Sequence, residues 1–328
     1  MEHVAEVGAD TERIVKHYLS FVEHYAFGDS PAYAEIARGV AGDERVLALV
    51  ASLPPGNKRQ PNLLLGAVRF LGGPVGSWPE FRAWVVEHWE RVRAVVMERH
   101  TQTNEVRRCA TLLPVLARVE GPLALVEVGT SAGLCLYPDR YRYSFDGGPV
   151  IGPAESPVLL ECETSGPVPV PDRVPEVVWR TGIDLNPLDV RSEDDLRWLE
   201  ALVWPGPHEV ARRERLRAAA SVAAADPPQV VAGDLVERLG EVVERAPAGA
   251  RVVVFHSAVL AYVPGERREA FVEAVRELPV HWVSNEGVRV VPELVGPRPE
   301  SASGFVVGLD GRVVGFSGGH GQRLTWVG

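Results

Sequence analysis

Leu125-Val126-Glu127-Val128-Gly129-Thr130-Ser131-Ala132-Gly133-Leu134 is the stretch on which the fold of this chain turns. It reads as a β-strand, a turn of small residues and a short helix start, with an acid just inside the strand's end. Upstream of it, from residue 10 to about 120, apolar residues recur at helical spacing, and Ile14, Tyr18, Phe21, Val22 and Tyr25 form one face of a first helix. Ser30-Pro31 offers a capping hydroxyl ahead of a proline at the first helical position, while Gly42 and Pro54-Pro55-Gly56 interrupt the pattern. Further helices are expected over 43–53, 62–71, 79–99 and 104–118, with Trp84, His88, Trp89 and Val92 as a core stripe.

Downstream of Gly121-Pro122 the period changes to short Val-rich runs alternating with helical stretches, the mark of βαβ units and a mostly parallel sheet. Strands are expected over 123–128, 177–184, 229–232, 251–255 and 280–284, and helices over 194–203, 209–224, 235–246 and 264–278. Asp310-Gly311 between alternating apolar residues predicts an antiparallel hairpin of 305–309 with 312–316. A last strand is expected over 323–327, an extra strand or hairpin over 141–145, and loops around Pro167 to Pro175 and Pro292 to Pro299. The expectation is therefore an α/β chain in two parts: an all-α domain over 1–121 and a Rossmann-like domain over 122–328 whose parallel sheet ends in the antiparallel hairpin.

Composition narrows the partners. The chain has 328 residues, 46% of them hydrophobic, enough to bury a core without disulfide or metal staples. A net charge of -10 without a Lys/Arg-rich run argues against a phosphate-tracking surface, so nucleic acid is not expected. Cys109, Cys135 and Cys162 are odd in number and scattered, which fits buried thiols in a reducing compartment. No basic and apolar leader opens the chain and no run is long enough to span a bilayer, so a cytoplasmic protein without membrane attachment is expected. No CxxC, HExxH or carboxylate-rich loop suggests a metal. Oligomeric state is not readable.

Three chemistries compete for the turn. A dinucleotide fingerprint requires glycines where Ser131 and Leu134 stand. A serine-nucleophile elbow, G-x-S-x-G, fits Gly129 to Gly133 literally, with Asp184 or Asp234 and then His256, His281 or His320 following in order. Against it, such an elbow follows several earlier strands that also supply an oxyanion loop, and everything upstream here is helical. The third pattern, E-x-G-x-(S)-x-G, resembles the first S-adenosylmethionine (SAM) binding motif, in which small residues let the backbone approach the amino-acid end of the cofactor. On that reading Glu127 orients the ammonium, and Gly129, Ser131 and Gly133 shape the turn. Five parallel strands followed by an antiparallel hairpin likewise resemble the strand plan of class I methyltransferases. An ordinary tight turn stays open as the alternative.

Two later acids extend the SAM reading. Asp184 closes the second strand, in position to accept ribose hydroxyls, and Asp234 follows the third, within reach of an adenine amino group; each could instead be a helix N-cap. Ligands of open α/β sheets collect at the carboxyl ends of the strands, which draws attention to His256 as a general base and Glu286 as a group that binds a cation or orients a nucleophile. A buried, backbone-bonded histidine and a solvated acid are the alternatives. Tyr262 and the polar run containing Gln102, Asn104 and Glu105 are candidate substrate-pocket residues, with a loop and cap as the other reading. Arg212, Arg213, Arg215 and Arg217 are expected on a solvated helix face.

Gln102-Thr103-Asn104-Glu105, the stretch from Val126 to Leu134, Asp139-Arg140-Tyr141, Arg180-Thr181-Gly182-Ile183-Asp184-Leu185-Asn186-Pro187-Leu188-Asp189 and Trp204-Pro205 together resemble a bacterial family known as a domain of unknown function, number 2332. The resemblance covers nearly the whole chain. It implies a helical N-terminal region joined to a methyltransferase-like Rossmann domain, with Gln102, Asn104, Glu105, Glu127, Gly129, Gly133 and Asp184 as pocket residues; it implies no substrate. The expected activity is SAM-dependent methyl transfer to a small-molecule nucleophile, the helical part closing over the site. The alternatives are a non-catalytic protein that keeps the fold to bind a ligand or partner, and a serine hydrolase using Ser131.

Overall fold

A computed structural model of the chain describes residues 2–23, 29–102, 104–297 and 304–328. Tyr25, Thr103 and the end of the Pro292 to Pro299 loop lie outside these residues. The structure is α/β, with an N-terminal helical region and one large, mostly parallel sheet. The chain forms two compact units, and both are discontinuous: 1–103 with 192–214, and 104–191 with 215–328.

The first unit is helical: α1 (Glu2–Phe21), α2 (Pro31–Gly42), α3 (Glu44–Ala51), α4 (Pro61–Phe70), α5 (Trp78–Glu87), α6 (Trp89–Glu98) and α8 (Glu193–Ala201). Its caps follow from the sequence. Ser30 Oγ accepts the Tyr33 N–H at 3.3 Å ahead of Pro31, and Asp43 Oδ1 accepts the Val46 N–H at 2.9 Å. The single helix expected over 79–99 is broken at His88, whose φ of -107° and ψ of 19° are not helical. The His88 ring, stacked on Trp84 at 4.3 Å, sits at the break with Nδ1 2.9 Å from the Trp84 carbonyl. The buried stripe Phe81, Val85, Trp89, Val92, Val96 runs on through this break with helical spacing, so periodicity alone does not reveal it. The segment expected as the first helix after the second strand, α8, packs here because Trp198 sets its ring edge-on to Phe70 at 5.7 Å and donates to the His100 carbonyl at 3.0 Å. Trp204 packs likewise against Phe21 and Tyr33.

The second unit carries the sheet: β1 (Leu123–Val128), β2 (Arg142–Phe145), β3 (Leu159–Ser165), β4 (Val177–Asp184), β5 (Gln229–Ala232), β6 (Arg251–Ser257), β7 (His281–Gly287), β8 (Phe305–Leu309), β9 (Arg312–Ser317) and β10 (Arg323–Trp326). Their order is β2-β3-β10-β9-β8-β7-β6-β1-β4-β5. The five strands β5-β4-β1-β6-β7 are all parallel, which in chain order reads 3-2-1-4-5. From β1 the chain runs first through β2 and β3 at the far edge of the sheet, then returns to β4 on one side of β1 and later places β6 on its other side, so within the five parallel strands the topological switch point lies between the carboxyl ends of β1 and β6. The expected hairpin forms: β8 and β9 pair antiparallel around Asp310 (φ 49°) and Gly311 (φ 79°), the two left-handed positions of a type I′ turn. Beyond it, β10, β3 and β2 extend the sheet; β3 has no counterpart in the sequence reading.

Helices α10 (Leu235–Glu244) and α11 (Gly265–Glu277) bury Leu239, Val242, Phe271, Val272 and Val275 against Val126, Val128, Ile183, Val254 and Trp282. Along a strand side chains alternate, so Asn285, three residues from Trp282, faces the other way. There it meets Thr111 of α7 (Arg108–Leu116), every residue of which is buried. That burial is why α7 belongs to the sheet unit and the division falls at 103/104, whereas sequence period alone sets it at 121/122. The three cysteines are free and buried.

Candidate functional site

At the carboxyl end of β1 the chain turns sharply. The Gly129 N–H donates to the Ile183 carbonyl at 2.8 Å and the Gly133 N–H to the Thr130 carbonyl at 2.8 Å. Gly129 (φ 69°), Ser131 (φ 53°) and Gly133 (φ 72°) all have left-handed backbone. A Cβ on Gly129 would lie 2.4 Å from the methyls of Val259, so the turn needs glycine for space as well as for φ. No α-helix follows: Leu134–Leu136 is one 3-10 turn, and β2 comes next. The turn therefore has no helix N-terminus to receive a pyrophosphate, which removes the main physical support for a dinucleotide site.

Glu127, 5% exposed, faces this turn from behind, its Oε2 accepting the Thr130 hydroxyl at 2.7 Å. Burial pushes its carboxyl well above the usual range, with the Thr130 hydrogen bond and the Arg108 charge opposing the rise. In front, the Ser131 N–H donates to Asp184 Oδ2 at 2.8 Å, and Asp184 Oδ1 accepts the Asn186 N–H at 2.8 Å. Asp184 thus ties the end of β4 to the turn after β1. A ribose diol would have to add to these two backbone donors or displace one. The Ser131 hydroxyl is buried without a hydrogen-bond partner. Asp234 is the cap of α10, accepting the Val236 N–H at 2.8 Å, and it pairs with Arg267. Burial alone would raise its pKa; the Val236 N–H and Arg267 outweigh it and hold the carboxyl low. Of its two sequence readings, the cap is what the structure contains.

Of the two readings of His256, a general base and a buried histidine, the structure contains the buried histidine, bonded to side chains rather than to backbone. It is fully buried, and the Trp282 indole N–H donates to Nε2 at 3.0 Å. Because an indole only donates, Nε2 is the acceptor and Nδ1 carries the hydrogen given to Glu286 Oε1 at 2.8 Å. Both ring nitrogens are committed. Glu286 is also no solvated loop acid: it is 1% exposed, and the same Oε1 accepts the Val259 and Leu260 N–H groups at 3.0 and 3.1 Å, while Oε2 has no partner. Trp282, His256 and Glu286 thus form a chain that fixes the loop carrying Val259 over Gly129.

The serine-hydrolase constellation does not assemble. The Ser131 hydroxyl bonds to no histidine, His256 is closed, and His281 sits at the amino end of β7 beside Asp310. His320 lies between β9 and β10, its carbonyl accepting from Arg107 Nε at 3.1 Å.

Glu105 is 4% exposed and forms a two-point ion pair with Arg215 of α9 (Glu209–Ala225), at 2.9 and 3.2 Å. The solvated-face expectation thus fails for Arg215, whose partner lies 110 residues away in sequence, and for Arg212, which is buried. Asn104 lies in the sheet unit with its amide nitrogen buried and unpartnered. Gln102 is half-buried at the end of the first unit, and Tyr262 is 43% exposed in the 3-10 turn after β6. Sequence reasoning missed three groups at the carboxyl ends. Leu185, beside Asp184, is 69% exposed. Buried Asn285 donates to Ser257 Oγ at 3.0 Å and accepts from Ser317 Oγ at 2.8 Å. Arg108, 7% exposed, donates to the Ser257 and Gly319 carbonyls at 3.2 and 3.0 Å. Only the density of polar residues before Cys109 hinted at the last.

The fold and this geometry define an α/β protein with an acid, a small-residue turn and a second acid gathered at the carboxyl ends of β1 and its neighbour β4. The chain matches over residues 15–326 the family DUF2332, described as an uncharacterized protein conserved in bacteria, and belongs to it. No curated protein and no solved structure matches it. Among the described residues no helix is long and apolar enough to cross a membrane, and no group of three or more His, Cys, Asp or Glu is placed to hold a metal ion.

Proposed function

We propose that the sheet unit is a class I methyltransferase-like domain that binds SAM at the β1 turn and transfers its methyl group to a small-molecule nucleophile. The observation that carries the reading is the juxtaposition at the carboxyl ends of β1 and β4, beside the switch point: Glu127 and the Gly129 to Gly133 turn on β1, tied at 2.8 Å to Asp184 at the end of the neighbouring strand. The residues fit such a ligand. The buried Ser131 hydroxyl lacks a partner, Glu127 is an acid sized for an ammonium, and exposed Leu185 beside Asp184 offers an apolar surface to a base. Bound there, SAM supplies an activated methyl group on a sulfonium. The protein's part is to align donor and acceptor and exclude water, which can carry much of the rate without a base. His256 and Glu286 act as positioning residues that hold Val259 and Leu260 against the turn.

A second reading, a protein that keeps the fold to bind without catalysis, is favoured by one observation: both oxygens of Asp184 already accept backbone N–H groups. Incubation of the protein with methyl-labelled SAM and a small-molecule extract separates the two. Label transferred to an extract component supports the enzyme; saturable SAM binding with no transfer supports the second reading.

A further inference from the structure

Arg108 is a buried cation with no ion-pair contact among the described residues, although its charge is felt by the Glu127 carboxyl. Arg59, Arg69, Arg99, Arg180 and Arg215, whose side chains are 11% to 14% exposed, each pair with a carboxylate. Arg108 is buried too, yet among the described residues it forms no ion pair; its guanidinium meets two carbonyls and lies 5.8 Å from the Phe305 ring centroid. An uncompensated buried cation is costly, and a ligand anion removes that cost. Its position suggests which anion. Arg108 bonds to Ser257 at the end of β6, two residues (~7 Å) beyond Phe255. Phe255 is the residue paired with Glu127 on β1, so Ser257 and Glu127 share one face of the sheet at the switch point. A buried cation and a buried acid on one face of the sheet there, beside a left-handed turn with an unsatisfied hydroxyl, match a small zwitterion.

We propose that Arg108 binds the α-carboxylate, and Glu127 the α-ammonium, of the amino-acid end of the ligand, an inference that rests on the adenosyl-ligand reading above. The guanidinium donates from its planar fork to the carboxylate while keeping its two carbonyl contacts, and the ammonium donates to the Glu127 carboxylate.

Titration of the wild-type protein with SAM, decarboxylated SAM and 5′-methylthioadenosine tests this without any variant. SAM is expected to bind at least about tenfold more tightly than its decarboxylated form, which keeps the ammonium and lacks the carboxylate. In Arg108→Gln the two are expected to converge to within about twofold, with 5′-methylthioadenosine unchanged. Equal wild-type affinity for SAM and decarboxylated SAM overturns the Arg108 assignment and leaves the adenosyl site standing. Absence of binding by all three, 5′-methylthioadenosine included, overturns the adenosyl reading itself and this occupant with it.

Discussion

Ser131 holds a φ of 53° that glycine would hold with less strain, and it buries a hydroxyl that bonds to nothing. Strain and an unsatisfied polar atom at one residue are tolerated where a ligand uses them. Ser131→Gly is therefore expected to raise stability by about 1 kcal/mol, read by chemical denaturation, and to weaken binding of S-adenosylhomocysteine. Glu127 makes a pH prediction. Because its folded-state pKa is raised by burial, the folded protein holds this proton more tightly than the unfolded chain does. The resulting stability is present at low pH and is lost as pH rises through the raised value. Glu127→Gln, which can still accept from Thr130, removes that loss, so its melting temperature should gain on the wild type between pH 5 and pH 8; a constant difference would show that Glu127 does not titrate as buried. At this scale the sequence was informative about Glu127, Gly129, Gly133 and Asp184, because local spacing alone brings them to strand ends. It held only a hint of Arg108 and was misleading on Arg215, whose environments come from residues about a hundred positions away or more.

The β6–β7 pair behaves as a clamp. Glu286 Oε1 collects His256 and the amides of Val259 and Leu260, and Val259 packs over Gly129. Removing the carboxylate leaves buried donors unmet, so Glu286→Ala should cost about 3 kcal/mol or more in denaturant unfolding. Glu286→Gln, which retains an acceptor oxygen, should cost about 1 kcal/mol. A neutral Glu286→Ala would mean that the loop is held by something else. In the helical unit, Trp198 fills the space between α8 and α4, and Trp198→Ala should destabilise by about 3–5 kcal/mol. Strands β1, β4, β5 and β8 begin and end where the sequence predicts, because Val-rich runs bounded by turn residues are the strongest local strand signal. The strand β3 escaped notice since its Leu159-Leu160-Glu161-Cys162-Glu163 run buries only Leu160 and Cys162 and carries two acids.

Across the whole molecule, the chain enters the helical unit twice and the sheet unit twice. The period change at residue 121 is real, but it marks where helices give way to strands, whereas the units are set by which surfaces each helix buries. A fragment of 122–328 lacks α7, whose nine residues are all buried, and retains α8, which packs in the other unit. It is expected to show no cooperative melting transition, whereas the full chain should. That five strands would be parallel was legible in the alternation of strands and helices, but their order 3-2-1-4-5 was not, since β2 and β3 intervene between β1 and β4. Nor was the pairing of β10 with β3, because it joins segments 160 residues apart.

The central claim, an adenosyl ligand at the β1 turn, is tested most directly by calorimetric titration of the full chain with S-adenosylhomocysteine, with NAD as control. Saturable binding of S-adenosylhomocysteine is expected, with none of NAD and loss of binding in Gly129→Ala. No heat of binding from S-adenosylhomocysteine, or equal binding of NAD, would contradict it.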